Sequence, residues 1–294
     1  MPDDGRPAWL GDWRPVAEHC AAVVAEHPVA GLAALLGVEP ADVAAGRPLP
    51  PLWHWVALSA WPRAADVGPD GHPRTGGFLP RTPYARRMWM GTTVEVSEPP
   101  LIGTEVAVER SVTDVTEKSG RQGAFALVTV ETVLRGADGG TLVTERNQLA
   151  YRNPAPAAES TAPPDSGGTG VDDAPSQPWL SRRDDGSWTL RPDPVTLMWF
   201  SALTANAHRI HYDRPYATEV EGYPGLLVHG PLMAMVLAEV IRRERPAASL
   251  RSISVRAMRP MFVGMCATVR IDNEQSLTLG PDGEPPCMTA EVTT

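Results

Sequence analysis

The run Gly225-Leu226-Leu227-Val228-His229-Gly230-Pro231-Leu232-Met233-Ala234-Met235-Val236-Leu237-Ala238 decides the fold. Pro231 suits the first position of a helix, where its missing N–H is no loss, and the pattern predicts a helix over residues 231–245. From Leu232 to Ala238 that helix is apolar on every face, so it is surrounded by protein and does not lie on a surface. A sheet wrapped around one buried helix meets that requirement.

Outward from the helix, residues 251–256, 267–271 and 287–293 read as strands. Towards the N-terminus, residues 16–36 carry a helical pattern stopped by Gly37, followed by an irregular aromatic stretch. Residues 92–96, 105–116, 124–135 and 141–151 then alternate or are β-branched, with turn signals at Ser119-Gly120 and Asp138-Gly139-Gly140, and read as antiparallel hairpins. Residues 153–178 are almost all Pro, Ala, Ser, Gly, Thr and Asp and read as a linker between units 1–152 and 179–294. Pro100-Leu101-Ile102-Gly103 before Val106 is faintly echoed by Pro260-Met261-Phe262-Val263-Gly264 before Ala267, which suggests a duplication.

Composition bounds the function. With 294 residues, 43% hydrophobic and 21% charged, the chain has the profile of a soluble globular protein. A net charge of -9 argues against a general nucleic-acid binder, which needs clustered Lys and Arg for phosphates. Cys20, Cys266 and Cys287 form no Cys-x-x-Cys pair, so neither a disulfide scaffold nor a thiolate zinc site is expected. No apolar run approaches the ~18 residues that span a bilayer. A cytoplasmic protein without membrane or nucleic-acid partners is the expectation.

The chemistry concentrates in Phe200-Ser201-Ala202-Leu203-Thr204-Ala205-Asn206-Ala207-His208-Arg209-Ile210-His211-Tyr212-Asp213, just before the helix. An imidazole titrates near neutrality, which makes His211 a candidate base, while Asn206 can orient a partner but cannot take its proton. The Gly230 amide would point outward at the positive end of the helix dipole, where a carbonyl oxygen gaining negative charge is the natural guest. His208 and His229 read first as hydrogen-bonded structural residues, with a supporting role open to them, and Asp213 as a backbone cap or a second proton-transfer group. A metal held by His208 and His211 with Asp213 or His229 has only a three-residue spacing behind it, and no metal is expected.

These residues resemble the signature of the MaoC-like R-specific enoyl-thioester hydratases, in which an acid precedes a histidine by five positions and a His-Gly pair opens the central helix. With Asn206 in place of the acid, the match is to the double hot-dog branch of mesaconyl-C4-CoA hydratases and type 2 hydroxyacyl-thioester dehydratases. His54, Gly68-Pro69-Asp70-Gly71-His72-Pro73, Gly76-Gly77-Phe78-Leu79-Pro80, Arg86-Arg87-Met88-Trp89, Glu117-Lys118-Ser119-Gly120 and the stretch from Arg256 to Gly264 extend it across most of the chain. Ala205 stands where a bulky residue is expected.

The resemblance implies an α+β double hot-dog, two antiparallel sheets each around a central helix, with the active helix in the second unit. It also implies hydration of an enoyl thioester, or the reverse dehydration, on an acyl-CoA or acyl-carrier-protein substrate, with no cofactor. His211, Asn206 and Gly230 would be catalytic, Arg86, Arg87, Arg256 and Arg259 would be candidate phosphate contacts, and Ala205 would shape the acyl pocket. Addition of an amine, thioester hydrolysis and non-catalytic acyl-thioester binding stay open as alternatives. A monomer and a homodimer are both compatible.

Overall fold

The structure is a computed structural model that describes residues 6–120, 123–153 and 178–294. In chain order the first half contains strand β1 (Glu18–Val23), helix α1 (Glu26–Leu36), a single turn α2 (His54–Ala57), and strands β2 (Arg86–Val96), β3 (Glu105–Gly120), β4 (Gly123–Arg135) and β5 (Thr141–Arg152). The second contains β6 (Leu180–Arg182), β7 (Trp188–Leu190), helices α3 (Pro194–Leu203) and α4 (Gly230–Glu244), and strands β8 (Ser252–Ala257), β9 (Ala267–Ile271), β10 (Ser276–Gly280) and β11 (Met288–Thr293). All pair antiparallel in one sheet of order β1-β3-β4-β5-β2-β8-β11-β10-β9-β7-β6.

Read inward from each side, that order repeats itself: β1-β3-β4-β5-β2 matches β7-β9-β10-β11-β8, and the blocks meet where Gly91 opposes Arg256 and Glu95 opposes Ser252. The Pro-apolar-Gly echo follows the same symmetry. Gly103 and Gly264 take φ of 87° and 92°, and the isolated bridges Pro48 to Leu101 and Leu227 to Phe262 sit at matching places. The expected α+β double hot-dog is therefore present, with two refinements: the two sheets are continuous, and the central helix of the first unit is a single turn. Residues 154–177 of the expected linker lie outside the described residues.

One expected element differs. Residues 16–36 are not one helix, because Pro28 inside it would remove a backbone donor and clash with the preceding turn. The helix instead starts at Glu26, which puts Pro28 in its first turn, and Glu18–Val23 pairs with β3. Gly37, at φ 68°, ends α1 in the left-handed conformation that glycine adopts without penalty.

Every residue of α4 from Leu232 to Ile241 is buried, against β2, β8, β10 and β11. Each large aliphatic side chain there contributes about 1.5–3 kcal/mol by leaving water. Glu239 is buried too, and Arg242 (2.7 Å) and Arg243 (2.6 Å) neutralise it. At the junction β2 bulges between Trp89 and Gly91, and a Cβ on Gly91 would lie 2.2 Å from the Val255 carbonyl oxygen. The bulge is where β2 turns Trp89 towards the start of α4. No helix among the described residues is long and apolar enough to cross a membrane.

Candidate active site

The site is built where α3 ends. Asp193 caps its start by accepting from the Thr196 N–H at 2.7 Å. At its end Ala205 N–H donates to Ala202 O (3.4 Å) and Asn206 N–H to Ser201 O (2.9 Å), a Schellman closure with Ala205 at φ 51°. Glycine usually holds that position, and a Cβ there costs about 1–2 kcal/mol. The closure leads directly into Asn206, whose Oδ1 accepts the His208 N–H at 3.1 Å and whose two Nδ2 protons are left for another partner.

His211 is buried, held at one edge by a hydrogen bond and on one face by a stack. Its Nδ1 lies 2.7 Å from Leu227 O. A carbonyl only accepts, so Nδ1 carries the proton and Nε2 keeps the lone pair. The ring stacks on His229 at 3.6 Å between centroids and 18° between planes. His229 in turn meets Ser201 Oγ through Nε2 at 2.9 Å and Phe200 edge-on at 5.0 Å. Burial is the main force pushing the pKa of His211 down, to about 4; the Leu227 contact opposes it and nearby His72 adds to it. Burial likewise holds His229 well below the usual imidazole range. His229 also precedes α4, so the Gly230 N–H falls in the first turn, where no intrahelical acceptor exists.

The first half closes over this site. A Cβ on Gly230 would lie 2.5 Å from Trp89 Cε3. Trp89 Nε1 donates to Asn147 Oδ1 (2.9 Å), and Asn147 donates to the buried Glu145, which also receives His54 (3.1 Å) and Trp55 (2.7 Å). His54 is thus part of a buried scaffold. The turn around Asp70 packs even more tightly: a Cβ on Gly71, at φ 92°, would come within 1.7 Å of Ala207 O. Arg209 binds this turn through its backbone N–H to Asp70 O (2.9 Å) and its guanidinium to Pro69 O (3.2 Å).

That turn places Asp70 and His72 beside His208. Asp70 Oδ1 accepts the His72 backbone N–H (3.1 Å), Oδ2 meets His72 Nδ1 (2.9 Å), and the His72 ring lies 3.8 Å from that of His208. His208 stands edge-on to His211 at 5.6 Å. Burial pushes the pKa of His208 down to about 2, helped by His72 and His211. Burial also lowers His72, against the pull of Asp70. For Asp70 itself burial acts upward, but the His72 contacts outweigh it and hold the carboxyl well below the usual carboxylate range. Asp70, His72 and His208 offer ligand atoms within 4.8 Å of one another, the group among the described residues that could hold a metal ion. It is a different set from the His208–His211 reading of the sequence.

Of the remaining expected residues, Asp213 turns away to Arg209 (2.7 Å) and caps Tyr216 N–H (3.1 Å). Arg86 is tied to Glu221 (2.7 Å) and Arg259 to Glu284 (2.8 Å). Arg256 is exposed on β8 without an ion pair among the described residues, and the charge of Arg87 is felt at His72 and Tyr151. Asp70, His72 and Trp89 entered the sequence reading only as part of the resemblance and Ser201 only as part of the quoted run, none with a role at the site. The Asp-Gly-His spacing was the available signal, since it sets an acid and an imidazole side by side on a loop, where binding and catalytic side chains concentrate.

The double hot-dog class has solved representatives: a Mycobacterium tuberculosis protein described as having that fold matches 98% of this chain and 98% of its own with a TM-score of 0.53 at 13% identity. A MaoC-like dehydratase from Phytophthora capsici aligns over 97% of each chain with a TM-score of 0.64 at 15% identity. Sequence narrows the class. The profile of hydroxyacyl-thioester dehydratase type 2 matches residues 52–263, and mesaconyl-C(4)-CoA hydratase of Chloroflexus aurantiacus is 36% identical over 280 residues, 94% of this chain and 93% of that protein. The chain belongs to the hydroxyacyl-thioester dehydratase type 2 family, a family of hydro-lyases.

Proposed function

We propose that the protein adds water reversibly across the C2=C3 bond of a 2-enoyl thioester, and in reverse dehydrates a 3-hydroxyacyl thioester. The observation that carries this reading is the Nδ1 contact of His211 with Leu227 O, because it leaves Nε2 as a base. Nε2 takes a proton from water, and the oxygen adds to C3. The displaced π electrons collect on the thioester oxygen as an enolate, which the Gly230 N–H stabilises at the positive end of α4. Asn206 donates from Nδ2 to the water oxygen, since its Oδ1 already serves His208. The stack on His229 keeps the imidazole from rotating.

The acyl chain is coenzyme A-linked or carrier-linked, because both present the same phosphopantetheine arm. With Arg86 and Arg259 engaged in ion pairs, Arg87 and Arg256 are the stronger candidates for its phosphates. Ala205, at the closure of α3, leaves room beside Asn206 for the acyl group. His211→Ala lowers kcat by ~100-fold or more while far-ultraviolet circular dichroism stays that of the parent; parental turnover in that variant would remove His211 from the mechanism.

A further inference from the structure

We infer that Asp70 and His72, contributed by the first half of the chain, form a second catalytic dyad that delivers the proton to C2. This rests on the hydration reading above and addresses what it leaves open. Once His211 has taken the proton of water, an acid must protonate the enolate at C2. Asn206, standing where the general MaoC-like signature has an acid, has no proton to give at neutral pH. His211, whose Nδ1 partner is a peptide carbonyl, offers its imidazolium no counter-charge.

The Asp70 turn provides that charge. The carboxylate accepts from His72 Nδ1 at 2.9 Å and, through its other oxygen, from the His72 backbone, so both the position and the tautomer of the ring are fixed. Nε2 is then the nitrogen that exchanges protons. The ring reaches the site through His208, at 3.8 Å from His72 and 5.6 Å from His211. The turn is no loose cover, because Gly71 touches the backbone of Ala207 and Arg209 binds the carbonyls of Pro69 and Asp70. The side chains of His72 and Asp70 are 19% and 36% exposed, so the dyad lies on the solvent side of a site whose other imidazoles are buried.

The step balances without a stored proton. Water gives its proton to His211 and its oxygen to C3. The proton passes from His211 to His72 through an intervening water or His208, and the Asp70 carboxylate on His72 Nδ1 supplies the counter-charge that the Leu227 carbonyl does not. His72 Nε2–H then gives it to C2, the enolate electrons form the C2–H bond, and both imidazoles return to neutral. In dehydration every transfer reverses.

The test follows hydration of an enoyl thioester in deuterium oxide by wild-type protein, His72→Ala and Asp70→Asn, with product analysed by NMR at C2. Hydration by the wild type establishes the parent reading; its absence removes that reading and this one together. Given wild-type activity, His72→Ala is expected to lose ~100-fold in kcat with KM changed less than a few-fold. Added imidazole should restore part of the rate, and the residual product should carry deuterium on both faces of C2. Asp70→Asn is expected to lower kcat in the same direction and serves if His72→Ala fails to fold. Parental kcat in both variants, or a loss with single-face deuteration and no rescue, would overturn the dyad. Loss of wild-type activity to EDTA with recovery on adding zinc would overturn it as well, in favour of a metal on Asp70, His72 and His208.

Discussion

Gly230→Ala tests the contact between the two halves and the proposed oxyanion site at once. The new Cβ would stand 2.5 Å from Cε3 and 2.9 Å from Cζ3 of Trp89, about 0.9 Å inside ordinary carbon contact at the nearer atom. The indole is not free to withdraw. Its Nε1 is bound to Asn147 at 2.9 Å, Asn147 is anchored on buried Glu145, and Trp55 meets the ring edge-on at 6.5 Å. Either that hydrogen bond breaks, at about 1 kcal/mol, or the first turn of α4 shifts. Overpacking of this kind costs about 1–3 kcal/mol. A displacement of about 1 Å at a catalytic donor costs on the order of 100-fold in rate. Urea unfolding and steady-state hydration kinetics read the two effects separately. In a double-mutant cycle with Trp89→Leu, the steric part should be relieved, with a coupling of about 1–2 kcal/mol. Parental stability and parental kcat in Gly230→Ala would show that Trp89 does not press on the helix start and that the Gly230 amide position is not demanding.

Ala205→Gly should raise stability by about 0.5–1 kcal/mol in urea unfolding, because glycine adopts the left-handed conformation at the end of α3 without a Cβ penalty; Ala205→Val should destabilise by a similar or larger amount. Stability should also fall on acidification. His211 has its pKa lowered to about 4, so below about 6.5 the unfolded chain binds a proton that the folded protein refuses. The loss begins near pH 6.5, grows towards pH 4, and amounts to about 2 kcal/mol from His211 alone at pH 5. His72, His208 and His229 are lowered too and act with the same sign. Equal unfolding midpoints at pH 7 and pH 5 would show that these imidazoles are solvated.

The parts of the molecule legible in the sequence are those fixed by local pattern. The apolar run of Leu232 to Ala238 gave away the buried helix, and strands β3, β4, β5 and β9 follow their alternation closely. Residues 16–36 misled because an Ala- and Val-rich run suits either state, and pairing with β3 decided for a strand up to Val23. Strands β6, β7 and β10 are short and their signals weak, and helix α3 went unread because only its last turn, Phe200 to Leu203, fell within the segment read for its chemistry. Of the site, His211, His208, His229, Asn206 and Gly230 were visible because they fall within one short stretch. Asp70, His72 and Trp89 stood in stretches that carried the resemblance but received no role at the site, since more than 130 residues separate Asp70 and His72 from His208 and only the fold brings them together. The arginines show the converse: charge is legible in a sequence, but Glu221 and Glu284 as partners of Arg86 and Arg259 are not.

Mass spectrometry of the protein incubated with a panel of 2-enoyl thioesters, each as the coenzyme A and the phosphopantetheine derivative, tests the central claim most directly. Gain of one water by at least one of them is expected, with no free thiol released and with the gain strongly slowed in His211→Ala. Release of free thiol in place of that gain, or no change across the panel, would contradict it.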